Sequence, residues 1–194
     1  PREPLQLDVQ PTVALLSLFD GTGLARLALT ELLMHFGATQ ALVASAFAEH
    51  NRPLAASVQA YWDRRAGLTN EPPHRCAAAD VWDLLRDDAA VLRRVLVDAP
   101  EDAVVLIAGG SPCQQFTKTL GNRLGLCGRE SYHMYAFPAV AWAIRLLRPD
   151  LLVHVLIENS SEIEEPHRTA ILRMLAVPAR TFPMMAAARV PHLR

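Results

Sequence analysis

The fold is decided by the stretch Val13-Ala-Leu-Leu-Ser-Leu-Phe-Asp-Gly-Thr-Gly23, in which an apolar run ends in two closely spaced glycines. A short apolar run bounded by turn residues is typical of a buried strand. Apolar residues then recur at three- and four-residue spacing over residues 24–35, which predicts a helix directly after the turn. The stretch therefore predicts the first strand, turn and helix of a βα unit.

Strand and helix patterns keep alternating along the rest of the chain. We expect strands at 13–19, 41–46, 75–78, 103–108, 151–157 and 181–184, and helices at 24–35, 53–64, after Asp80 and at 135–147. This order indicates an α/β fold of the Rossmann-like kind, a mostly parallel sheet with helices on both faces. Because no internal repeat or low-complexity segment marks a boundary, we expect one domain over residues 1–194.

Composition limits the classes of partner and compartment. The 19 basic and 20 acidic residues give a net charge of -1, so a DNA partner would have to be held by local contacts or by segments that are missing here. Cys76, Cys113 and Cys127 are an odd, irregularly spaced set, which favours free thiols inside a cell over a disulfide framework. We expect no metal site, since His74 and Cys76 lack a second pair of ligands. We also expect no membrane segment, because the apolar runs are far shorter than the roughly 20 residues that span a bilayer.

Chemically distinctive residues follow three of the predicted strands. They are Phe19-Asp-Gly-Thr-Gly23 after the first strand, Gly109-Gly-Ser-Pro-Cys-Gln114 after the fourth, and Leu156-Ile-Glu-Asn159 at the fifth. In open α/β sheets, ligands bind beyond the carboxyl ends of the strands. The three motifs are therefore expected at one ligand-binding edge.

Each motif has a functional and a structural interpretation. The glycines suit close approach of a ligand to the backbone, or a tight turn with no ligand. Cys113 sits on a loop stiffened by Pro112, which suits a presented thiol, although many cysteines are small apolar fillers. Glu158 ends an apolar strand, where a carboxylate costs free energy unless it is solvated or paired. A helix-capping glutamate is the structural alternative.

Taken in this order, the three motifs resemble those of the DNA (cytosine-5)-methyltransferases. Residues 16–24 are similar to the cofactor loop of that family, Gly-Gly-Ser-Pro-Cys-Gln to its nucleophile loop, and Ile157-Glu158-Asn159 to its Glu-Asn strand. The resemblance runs from about residue 13 to the end. It implies the fold of the class I methyltransferases. It also implies an enzyme that transfers a methyl group from S-adenosyl-L-methionine to carbon-5 of a cytosine flipped out of DNA.

The resemblance also implies the roles of single residues. Cys113 would add to carbon-6 of the cytosine, Glu158 would hold ring nitrogen-3, and Asn159 and Pro112 would order the nucleophile loop. The cofactor would be held by Phe19, Asp20, Gly21, Thr22, Gly23, Asp80 and Pro112. Asp80 would accept the adenine amino group, with a plain helix N-cap as the alternative. Residues 115–128 are expected to form a mobile segment that closes over DNA, or an ordinary surface loop.

Two regions depart from the family pattern. Ala46 aligns where a carboxylate holds the ribose hydroxyls of the cofactor, and Glu49, three residues later, is the candidate substitute. The chain ends where the family's next segment begins, so Arg194, with Arg189, is a candidate contact to the base. We therefore expect an incomplete catalytic subdomain without its target-recognition domain.

These departures keep two other functions open. One is a catalytically inert regulatory or scaffold subunit, and the other is a tRNA cytosine-5 methyltransferase. The expected partners are DNA and either another methyltransferase subunit or the missing recognition domain. The expected location is the nucleus in a eukaryote and the cytoplasm in a bacterium.

Overall fold

The protein forms a five-stranded parallel sheet with helices packed around it. The computed structural model describes residues 12–68, 71–112, 116, 124–159 and 163–175. The strands are β1 Val13–Leu18, β2 Leu42–Ala48, β3 Arg75–Ala78, β4 Val104–Gly110 and β5 Leu152–Glu158. The helices are α1 Leu24–His35, α2 Arg52–Ala66, α3 Arg86–Val95, α4 Ala136–Leu147 and α5 Glu165–Leu175. Four short 3-10 turns lie at Thr39–Ala41, Val81–Leu85, Gly125–Cys127 and Arg129–Tyr135.

The strand order is β3-β2-β1-β4-β5, and every neighbouring pair is parallel. The α/β, Rossmann-like fold expected from the sequence is thereby confirmed. The chain runs outward from β1 to β3 and then returns to place β4 on the other side of β1. The reversal makes the gap between β1 and β4 the topological switch point of the sheet, where open α/β sheets bind ligands. The loops that follow β1 and β4 flank this point.

Strand β1 lies at the centre of the hydrophobic core. All six of its residues are buried, because helices cover both faces of the sheet. Leu16 and Leu18 pack with residues of α3, α4 and α5, while Val13 and Leu15 pack with α1. Burial on both faces explains why the sequence of β1 is an almost continuous apolar run. Strand β5 differs, since its residues alternate between exposed and half-buried.

Three strands end later than the sequence pattern predicted, and one of them is β4, which runs to Gly110 instead of residue 108. Strand β2 extends to Ala48 instead of residue 46, because Phe47 and Ala48 continue the parallel pairing with β1. Strand β5 includes Glu158, which pairs with Gly110 of β4. Apolar patterning places the middle of a strand well, but the pairing of neighbouring backbones decides where the strand stops.

The helical regions differ from the prediction in two places. The helix expected after Asp80 begins as the 3-10 turn Val81–Leu85, and a left-handed stretch at residues 87–89 interrupts it before α3 continues. Helix α5 was not predicted at all. The strand expected at 181–184 falls outside the described residues. Within the described ranges, no helix is long and apolar enough to cross a membrane.

Candidate active site

The loop after β1 turns sharply into α1 through left-handed backbone. Phe19, Gly21 and Gly23 have φ angles of 55°, 58° and 76°. A Cβ atom at Gly23 would lie 3.0 Å from the Trp62 indole nitrogen and 3.2 Å from Val58, both on α2. Gly23 is therefore required by both its backbone conformation and its close packing. The turn leaves Thr22 exposed at the carboxyl edge of the sheet.

Glu49 joins the loop after β1 to the loop after β2. It follows β2 directly and is only 6% exposed. One carboxylate oxygen accepts a hydrogen bond from the Gly21 backbone N–H at 3.0 Å, and the other accepts from the Asn51 N–H at 2.8 Å. Hydrogen bonds to an ionised acceptor are among the stronger ones in proteins. Glu49 thus fixes the glycine turn from the neighbouring strand end.

The expectation that Ala46 ends the second strand was wrong. Ala46 is buried within β2, opposite Leu16 of β1, and two more strand residues follow it. The residue that directly follows the strand is Glu49, so a carboxylate does stand at this strand end. Glu49, the candidate substitute for the missing carboxylate, is thus the residue that directly follows β2.

The side chain of Asp20 points into the protein. It is 1% exposed, and its two oxygens contact the Ser17 hydroxyl at 2.5 Å and His74 Nε2 at 3.2 Å. His74 in turn contacts the Ser45 hydroxyl through Nδ1 at 2.7 Å. The Asp20 carboxylate therefore has little exposed surface for a ligand. Its buried hydrogen bonds hold the loop after β1 against the interior of the protein. No sequence pattern indicated a role for His74, which was considered only with Cys76 as an incomplete set of metal ligands.

Asp80 acts as a cap at the end of β3. Its carboxylate accepts a hydrogen bond from the Trp82 backbone N–H at 3.0 Å, which is the structural alternative considered for this residue. The Trp82 ring stacks on Tyr132, with ring centres 5.9 Å apart. The next ring, His133, lies edge-on to Phe19 at 5.3 Å. A cluster of ring side chains thus connects the loops after β1 and β3. Burial lowers the pKa of His133 in this cluster.

At the end of β4, two positions require glycine for different steric reasons. A Cβ atom at Gly109 would collide with the backbone carbonyl of Leu18 in β1. A Cβ atom at Gly110 would lie 2.7 Å from a carboxylate oxygen of Glu158 in β5. Gly109 therefore permits close approach of the backbones, and Gly110 leaves room for the Glu158 side chain across the strand.

Asn159 ties the end of β5 to the loop after β4. Its side-chain amide donates hydrogen bonds to the backbone oxygen and the hydroxyl of Ser111, both at 3.1 Å. Ser111 is buried, and the half-buried Pro112 follows it. Cys113 comes next in the chain and lies outside the described residues, as do Arg189 and Arg194. The described geometry thus brings Glu158 and Asn159 to the loop that leads into Cys113.

Some described residues of the segment 115–128 pack against the rest of the fold. Phe116 is 2% exposed and joins the main core. Near the other end, Leu126 donates its backbone N–H to His167 of α5 at 3.4 Å, and a Cβ atom at Gly125 would collide with the same imidazole. The Ser131 hydroxyl also donates to the Gly125 carbonyl at 2.5 Å. Residues 117–123 lie outside the described part.

Comparison with known proteins adds no assignment. No protein-family model and no curated protein matches this chain. The candidate site contains the glycine turn, Glu49, Asp80, and the Glu158-Asn159 end of β5. Among the described residues, no group of three His, Cys, Asp or Glu side chains is arranged to hold a metal ion. Cys76 and Cys127 are free and exposed.

Proposed function

We propose that this protein is an S-adenosyl-L-methionine-dependent methyltransferase that modifies carbon-5 of cytosine in DNA through a covalent bond to Cys113. One observation carries the proposal. The glycine turn held by Glu49 and the loop that leads into Cys113, tied to Asn159, flank the same switch point at the carboxyl edge of the sheet. The proposal is supported because the motifs that resemble a cofactor loop and a nucleophile loop follow two adjacent strands, β1 and β4.

The residues at the ends of β1 and β2 fit the proposed cofactor. Gly21 has no side chain, and a Cβ atom there would meet nothing within 4 Å, so a ligand has room to approach the backbone at this position. Glu49 supplies a carboxylate next to this turn, and each carboxylate oxygen has more than one lone pair to accept hydrogen bonds. Ribose hydroxyls are donors that such a carboxylate can hold. When bound, S-adenosyl-L-methionine supplies an electrophilic methyl group.

The chain's own residues account for activation of the base. The Cys113 thiolate forms a bond to carbon-6, which makes carbon-5 nucleophilic, and Glu158 holds a proton at ring nitrogen-3 to neutralise the developing charge. After methylation, loss of the carbon-5 proton breaks the sulfur–carbon bond and releases the thiolate. Asn159 keeps Ser111 in place, and so fixes the start of the nucleophile loop. The base must leave the duplex to reach these groups.

A trapping experiment tests the covalent step. Duplex DNA that carries 5-fluorocytosine is incubated with the protein and S-adenosyl-L-methionine, and the products are separated in denaturing detergent. Fluorine cannot leave carbon-5 as a cation, so the adduct persists. We expect a detergent-stable complex with wild type and none with Cys113→Ala.

Matched thiol controls make the result specific. Cys76→Ser and Cys127→Ser remove the two exposed free thiols, and both variants are expected to trap DNA as wild type does. DNA that binds wild type but is never trapped would contradict the proposed chemistry. Methyl transfer to tRNA and not to DNA would contradict the substrate.

A further inference from the structure

A buried polar network lies beneath the glycine turn. His74 precedes β3 and is fully buried, with its ring 4.9 Å from that of Phe47 and 5.7 Å from that of Trp62. Burying polar groups among apolar rings costs free energy unless each is hydrogen-bonded. Each polar group of this network therefore needs a hydrogen-bond partner.

The neutral form of His74 satisfies every group in the network. The Ser45 hydroxyl donates to Nδ1 at 2.7 Å, and the protonated Nε2 donates to Asp20 at 3.2 Å. Ser17 donates to the other Asp20 oxygen. Nε2 must carry the proton in this neutral form, because the Asp20 carboxylate can only accept a hydrogen bond. Nδ1 is then free to accept from Ser45. The result is a chain of hydrogen bonds that runs from β2 to the loop after β1.

The surroundings of His74 favour its neutral form. Burial lowers the pKa of His74, Asp20 opposes that shift, and the positive charge of Arg26 on α1 adds to it. The groups that face the ring from β2 and α2 are Ser45, Phe47 and Trp62, none of which is charged at neutral pH. The imidazole therefore acts as a neutral donor to Asp20 at pH 7 and above.

We propose that His74 is a positioning residue of the cofactor site, which acts through Asp20 on the loop 19–23. Asp20 immediately precedes Gly21, whose backbone N–H binds Glu49. Displacing Asp20 would thus disturb both the glycine turn and the carboxylate beside it. The inference rests on the proposed function, because it assigns His74 to the binding of that cofactor.

Calorimetric titration with S-adenosylhomocysteine at pH 8 tests this role. His74→Phe keeps a ring but removes the donor to Asp20, so the Kd is expected to rise about tenfold or more, the effect of losing one charge-assisted hydrogen bond. His74→Gln places an amide N–H near the position of Nε2, and its Kd is expected to stay within about threefold of wild type. Ser45→Ala is a milder variant in case His74→Phe does not fold, and it should weaken binding in the same direction.

A pH profile gives a second readout. The native pKa of His74 is lowered, so its contribution to stability is complete above the ordinary histidine value of about 6.5 and is lost as pH falls through the native pKa. Protonation also disturbs the donor chain. Wild-type affinity is therefore expected to fall as pH drops through the native pKa of His74, which lies below the ordinary value, and that of His74→Gln to fall less.

Leu92→Ala separates positioning from general destabilisation. Leu92 is fully buried in the core on the opposite face of the sheet, so this variant should lower the Tm and leave the Kd unchanged. If His74→Phe and Ser45→Ala bind as tightly as wild type, the positioning role is overturned while the proposed function stands. If wild type itself gives no heat at millimolar ligand, both proposals fail.

Discussion

At the scale of single residues, the site depends on glycines, which leave space for their neighbours, as well as on residues with functional side chains. Gly109 and Gly110 are adjacent in sequence, yet a Cβ atom at Gly109 would overlap the backbone of β1, whereas one at Gly110 would first meet the Glu158 side chain at 2.7 Å and the Glu158 backbone oxygen only at 3.2 Å. A backbone neighbour cannot move without shifting a strand, whereas a side chain can rotate away. The two positions should therefore respond differently to the same substitution.

Replacing each glycine by alanine tests this difference. Gly109→Ala is expected to lower the free energy of unfolding by about 3 kcal/mol or more, because the new methyl group meets the Leu18 carbonyl and the φ angle of 156° is unfavourable. Gly110→Ala is expected to cost about 1 kcal/mol in stability and to lower kcat at least about tenfold, since Glu158 is displaced. Urea unfolding and methyl-transfer rates give the two quantities. Equal losses of stability at both positions would refute this interpretation.

At the scale of elements, the start of α3 contains three consecutive non-glycine residues with left-handed backbone. Asp87, Asp88 and Ala89 have φ angles of 50°, 55° and 56°, where a left-handed conformation costs roughly 1–2 kcal/mol per residue for most L-amino acids. Asp88 is held by Arg93, whose guanidinium contacts its carboxylate at 2.9 Å. The amphipathic pattern predicted a helix here but could not reveal the break.

Asp87→Gly is expected to relieve this strain. Glycine adopts positive φ at no steric cost, so the free energy of unfolding should rise by about 0.5–1 kcal/mol after allowing for the greater freedom of the unfolded chain. The same substitution at Asp63, inside the regular helix α2, should instead destabilise by about 1 kcal/mol. Urea denaturation of the two variants measures both effects. A loss of stability at both positions would show that residue 87 is not strained.

At the scale of the whole molecule, the sheet order brings distant segments of the chain to one edge. Residues 19–23, Glu49, Asp80 and the loop leading into Cys113 are far apart in sequence, and the order β3-β2-β1-β4-β5 places their strand ends side by side. A ligand at this edge contacts loops that separate on unfolding. Its binding should therefore stabilise the entire fold.

The thermal stability of the protein should report this linkage. S-adenosylhomocysteine at about 100 times its Kd is expected to add about 2.7 kcal/mol of stability, which corresponds to a rise in Tm of roughly 5–10 °C for a chain of this size. Glu49→Gln should remove most of the rise, because it replaces the charged acceptor beside the glycine turn. Glu31→Gln, an exposed acid on α1, is the matched control and should keep the rise. A shift that survives Glu49→Gln would exclude Glu49 from the binding site.

The sequence by itself determined the class of fold, the positions of the five described strands and the three motifs that follow β1, β4 and β5. Those features are local, because apolar periodicity and glycine placement act over a few residues. Only the tertiary structure decided that Glu49 and not Ala46 stands at the end of β2, since strand ends depend on pairing with a neighbour. Only it brought His74 to Asp20, 54 residues away in sequence. A hydrogen bond between such distant residues leaves no periodic mark in the chain, and it forms only when the sheet has set their positions.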